Sequence, residues 1–199
     1  MSNYSLESFI NFCDNMQIVD EGLISKIFKK KKNNAPKKIY KVNKAYLDIL
    51  KYNEWDTDGY ELMSNEELSI CNQKYGSEFK SMISKIKAIA QKINTKYKKQ
   101  YITFIPDSLK NYTIIFNGKQ GIEMEAYPVG VSYETLEKYK GESGLDDALD
   151  EFESECCKII SSNSKIKPDI QFCKDNCDGY PEYVHDYRFF LWFSVVFKE

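Results

Sequence analysis

The sequence predicts an α+β fold: a helical N-terminal half packed on a mostly antiparallel sheet of about five strands, ordered β-β-β-α-α-β-β, in the C-terminal half. Two observations carry this reading. Up to about residue 100, apolar residues recur every three or four positions, the period of an amphipathic helix. From Tyr101 onward they alternate in steps of two, the period of a strand, until two further helical stretches intervene. Helices followed by strands imply helices packed on a sheet rather than alternating βαβ units. At 199 residues the chain is expected to be one domain, 1–199, with residues 1–60 set apart as a helical extension.

Taken in order, residues 5–16 place Leu6, Phe9, Ile10 and Cys13 on one helical face, with Ser5 as a cap. A second helix is expected from residue 20 to about 30. The run KKKKNNAPKK, residues 29–38, reads as an exposed loop. Residues 43–52 predict a third helix, and 53–59 a turn. Ser64 and Glu67 fit a capping box opening the longest helix, which continues to about residue 99 with an interruption near Gly76. Its stripe is Leu68, Cys71, Tyr75, Phe79, Met82, Ile86, Ile89 and Ile93.

Residues 101–105, 112–116 and 122–127 read as a three-stranded meander. Its register follows from the apolar pattern. Pairing Phe116 with Ile122 and Ile114 with Met124 keeps every apolar residue on one face, whereas a two-residue loop would set Ile114 opposite Glu123. Glu123 and Glu125 should then point away from the main core. Residues 132–140 and 145–162 predict helices, the second buried along Leu145, Leu149, Phe152, Cys156 and Ile159 or Ile160. Residues 166–173 form a strand. Residues 187–197 (YRFFLWFSVVF) are apolar on both faces, which belongs in the middle of a covered sheet.

Composition narrows the chemistry. The sequence holds one histidine, His185, and one arginine, Arg188, three residues apart. Two-histidine relays and multi-histidine metal sites are thereby excluded, and base readout in DNA lacks its commonest side chain. The net charge of −2 conceals an asymmetry. Residues 1–100 carry 18 lysines against 12 acids; residues 101–199 carry 9 lysines and the arginine against 18 acids. No signal-like segment opens the chain and no apolar run is long enough for a membrane span, so a soluble cytoplasmic protein with no membrane partner is expected, its six cysteines mostly reduced.

Five constellations remain. Cys173-x-x-x-Cys177 with His185, and Cys156 or Cys157 as a fourth ligand, has the donor chemistry of structural zinc but not its usual tight Cys-x-x-Cys pairs, so no metal or cofactor is expected. His185 could serve any of six cysteines as a base, and nothing in the sequence selects one. Asp107 with Glu123-x-Glu125 resembles, over about 20 residues, the acidic constellation of PD-(D/E)xK nucleases, which would imply a divalent cation. The lysine that family expects is absent, however, and the meander register separates Asp107 from the glutamates. Lys29–Lys32, Lys37, Lys38 and the lysine face of the long helix could hold phosphates, with Tyr40, Tyr46 and Tyr52 nearby for stacking.

The fifth constellation uses several of the chain's features together. Asp146, Asp147, Asp150, Glu151, Glu153 and Glu155 concentrate negative charge on one helix. The expectation is therefore a non-enzymatic protein-binding domain, most concretely an immunity- or antitoxin-type inhibitor that neutralises a cognate toxin through these six acids. A metal-dependent nuclease or a nucleic-acid-binding protein is the alternative.

Overall fold

A computed structural model of the chain describes residues 39–106, 108, 110–116, 121–161, 166–174, 180 and 182–197. The expected helices at 5–16 and 20–30 and the lysine loop lie outside these residues. The described elements belong to one compact unit, Lys38–Glu199. Strand β1 (Tyr40–Val42) leads into helix α1 (Lys44–Tyr52), strand β2 (Tyr60–Leu62) and helix α2 (Asn65–Cys71). A one-turn π segment (Asn72–Gly76) joins α2 to helix α3 (Ser77–Tyr97). Strands β3 (Thr103–Phe104), β4 (Thr113–Phe116), β5 (Ile122–Ala126) and β6 (Val129–Ser132) follow. Helices α4 (Tyr133–Lys138) and α5 (Ser143–Ser161) precede β7 (Ile166–Lys174), a 3₁₀ turn (Glu182–Val184) and β8 (Tyr187–Phe197).

The sheet is mixed and has eight strands, which corrects the expected helical N-terminal half on a five-stranded sheet. Strands flank the helices in sequence instead of following them. β1 and β2 fall in the first third of the chain and run parallel to each other, while the remaining pairings are antiparallel. β3 pairs with β6 rather than with β4, so the expected meander reduces to the β4–β5 pair. β1, β2 and β6 escape a periodicity search because each has only three or four residues, and β3 keeps only two of the residues expected at 101–105. Such pieces hold their shape through neighbours, not through their own pattern.

β8 organises the sheet. β7 pairs with it from Ile166↔Phe197 to Lys174↔Phe189 along one edge. β5 and β6 follow each other along its other edge, opposite 193–197 and 187–190 respectively. Pro168 in β7 suits an edge strand, which can spare a donor. The predicted β4–β5 register holds, with Phe116↔Ile122 and Ile114↔Met124.

Alternation along β8 creates two cores. Leu191, Phe193, Val195 and Phe197 join Ile114, Ile122 and Met124 beneath α3 and α5. There Phe79, Ile83, Ile86 and Ile93 of α3 meet Ala148, Phe152 and Cys156 of α5. On the other face Phe190 and Trp192 pack with Ile105, Tyr127 and Val184. The Ser64–Glu67 capping box is present. Two asparagines splice helices to strands. Asn43 caps α1 through Tyr46 N at 3.2 Å, accepts from Ile114 N at 3.1 Å and donates to Tyr112 O at 2.8 Å. Buried Asn94 donates to Ile102 O at 2.6 Å and accepts from Ile102 N at 3.0 Å, fixing the exit from α3.

Gly130 of β6 marks the tightest approach to β8. A Cβ there would lie 2.7 Å from the Phe189 carbonyl oxygen and 2.8 Å from the Tyr187 ring. Gly76, in contrast, leaves 3.4 Å to the Asn72 side chain. Gly130→Ala should therefore destabilise the protein by about 1–3 kcal/mol through overpacking. Gly76→Ala should be neutral or stabilising. Urea melts of the two variants check the contrast, and equal midpoints would contradict it.

Candidate functional site

The six acids predicted to bind a partner do not act alike. Leu145, Ala148, Phe152 and Cys156 bury one side of α5. Glu151 and Glu155 lie at the edge of that side and reach back to α3. Glu151 pairs with Lys96 and accepts from the Tyr97 hydroxyl at 3.1 Å. Glu155 meets Lys92 at 3.2 Å and Lys158 at 3.0 Å. Lys96 holds the Glu151 carboxyl below its ordinary range, and Lys158 with Lys92 does the same for Glu155. Just before the helix, Glu142 pairs with Lys99 at 3.5 Å and accepts from the Tyr101 hydroxyl at 3.1 Å.

Asp146, Asp147, Asp150 and Glu153 are exposed and form no ion pair among the described residues. At about 100° per residue they fall within an arc of roughly 120° on the solvent side of the helix. The lysine face of α3 and its exit is partly consumed by the same contacts, since Lys92 and Lys96 of the helix and Lys99 just beyond it each face an acid. Lys87 lies over the Phe104 ring at 5.3 Å, and burial pulls its ammonium down from the usual range.

The glutamates of β5 occupy the opposite face of the sheet from α3 and α5, as the register requires. Glu125 lies in a row of polar residues that crosses four strands, with Thr113, Ser194 and Asp169. The Trp192 indole donates to the Glu125 carboxyl at 2.9 Å, and the Ser194 hydroxyl donates to Glu123. Burial pushes the Glu125 carboxyl up to about 7; Thr113 and Trp192 oppose the rise, while Glu123 adds to it. Burial also raises Glu123. Tyr46 of α1 stands close enough that the two carboxylates add to its own burial in keeping its hydroxyl protonated.

Asp107 lies outside the described residues. Among the described residues no three Asp, Glu, His or Cys side chains converge as a metal site. The two glutamates therefore meet a serine and an indole where the nuclease reading needs a further acid.

The cysteine and histidine candidates divide similarly. Cys177 lies outside the described residues. The Cys173 thiol contacts the Tyr180 hydroxyl at 3.2 Å, and the His185 Nε2 meets the Tyr180 carbonyl at 3.0 Å. Tyr180 thus takes up both groups. Cys156 is buried in the main core, where burial drives its thiol far above the ordinary range, while its neighbour Cys157 faces outward. Arg188 lies over the Tyr133 ring at 6.0 Å. No helix among the described residues is long and apolar enough to cross a membrane.

Sequence reasoning missed the Trp192–Glu125 bond and the two splicing asparagines. The position of Glu125 opposite Ser194 could have been read only with the β5–β8 pairing known. Compared with protein-family models, curated proteins and solved structures, the chain matches none.

Glu125 makes stability depend on pH in a stated direction. Its carboxyl titrates near 7 in the fold, against a usual value of 4.5. Its contribution is complete below the unfolded value, declines as pH rises through that window, and is gone above the folded value. Glu125→Gln, which mimics the protonated acid, should match the parent at pH 4. At pH 8 it should be more stable by on the order of 3 kcal/mol. Denaturant melts at both pH values test this, and a variant that tracks the parent at both would refute it.

Proposed function

We propose that this chain is a non-catalytic protein-binding domain that captures a basic partner through the solvent-facing acids of α5. Its most concrete form is an immunity- or antitoxin-type inhibitor covering the basic active site of a cognate toxin. The observation that carries the reading is the division of labour along α5. Glu151 and Glu155 are spent on α3, so the helix is held in place from inside the protein. Asp146, Asp147, Asp150 and Glu153 are left as an exposed anionic stripe. A pre-positioned stripe of one sign attracts a basic partner at long range and loses less freedom on binding than a mobile one. The interface expected from sequence thus contracts from six residues to four.

The test is affinity capture from the source cell on the full chain, eluted with rising salt, beside a D146N/D147N/D150N/E153Q variant. The expected result is one stoichiometric protein that elutes with salt. Its association with the variant should be slower by about tenfold or more at low ionic strength. Glu151→Gln should mainly loosen α5 and leave the rate little changed. Recovery of nucleic acid without protein, or equal association rates for parent and variant, would overturn the proposal.

A further inference from the structure

On the face of the sheet opposite α3 and α5, α1 and the 3₁₀ turn bound a cleft of about 330 Å³. Ala45, Asp48, Ile49 and Tyr52 supply one wall, and Glu182 and Tyr183 another. The four α1 residues follow the 3–4 spacing of a single helical stripe, separate from Leu50, which is buried. Lys44 and Lys51 flank the Asp48 edge of that stripe, about 40° and 60° further round the helix, and are not part of the lining. Asp48 and Glu182 are the charged residues of the described lining. Both are exposed and form no ion pair among the described residues. Two rings complete the cleft. Tyr183 donates its hydroxyl to the Asn111 carbonyl at 3.4 Å, and Tyr52 packs against the His185 ring with centroids 5.7 Å apart.

We infer that this cleft binds a small organic cation of the alkylammonium class. Carboxylates on opposite walls supply the counter-charge, and tyrosine faces attract a cation through their quadrupoles. Ala45 and Ile49 contact its alkyl part. An anion would meet two carboxylates. A neutral apolar ligand would gain the aliphatic and ring contacts but nothing from the two carboxylates. The volume is at the low end of small-molecule clefts, which run from about 300 to 1,000 Å³, so the ligand has few heavy atoms.

Choline and its uncharged carbon isostere 3,3-dimethylbutan-1-ol separate charge recognition from shape. Titrated into the full chain and followed by amide chemical shifts, choline should saturate, moving Asp48, Tyr52, Glu182 and Tyr183. It should bind about tenfold or more tightly than the isostere. Asp48→Asn with Glu182→Gln should abolish most of that preference, and the surface position of both residues leaves the fold intact. Equal affinity for the two probes would overturn the inference. So would no saturation by choline, or shifts confined to residues outside the cleft.

Discussion

The structure depends on β8, an eleven-residue strand whose side chains are apolar on both faces. A strand of that kind cannot lie on a surface. It requires pairing on both edges and cover on both faces, and the rest of the chain meets those four demands. β7 closes one edge; β5 and β6 share the other. α3 and α5 cover Leu191, Phe193 and Val195, while the residues around the 3₁₀ turn cover Phe190 and Trp192. Each large apolar side chain so buried contributes about 1.5–3 kcal/mol, a considerable part of a net stability of about 5–15 kcal/mol.

The same strand explains why the two sheet faces differ chemically. Under α3 and α5 the cover is almost wholly aliphatic and aromatic. On the other face the register brings Glu125, Ser194 and Thr113 into one row, and the Trp192 indole donates to the Glu125 carboxyl. Burial, with a second carboxylate two residues away adding to it, keeps the proton on Glu125 to nearly neutral pH. Glu151 and Glu155 of α5 obey the opposite rule, since the lysines they meet hold their carboxyls below the ordinary range. The remaining acids of that helix face solvent, where a partner can meet them.

Long elements were legible in the sequence because their own periodicity fixes them. The capping box at Ser64, the stripe from Cys71 to Ile93, the α5 stripe and the two-faced β8 all follow from residue spacing. The β4–β5 register was legible too, because shifting it by one residue would bury Glu123 in the main core. The short strands were not. Tyr40–Val42 and Tyr60–Leu62 are too brief to show alternation, and their parallel pairing is a tertiary fact. Thr103–Phe104 pairs with Gly130 and Val129 although β4 follows it in sequence. At the candidate site, the count of acids on α5 was visible, but their division was not. That Glu151 and Glu155 serve α3 depends on how two helices cross, which no local pattern records.

Native-state hydrogen exchange along β8 tests the central claim most directly. If both faces and both edges of this strand hold the fold together, the amides of residues 189–197 exchange only through global unfolding. They should then be the slowest in the described sheet, with the same denaturant dependence as the whole protein. Exchange of these amides through local opening, while those of α3 and α5 remain protected, would contradict the account and make the helix pair the organising element.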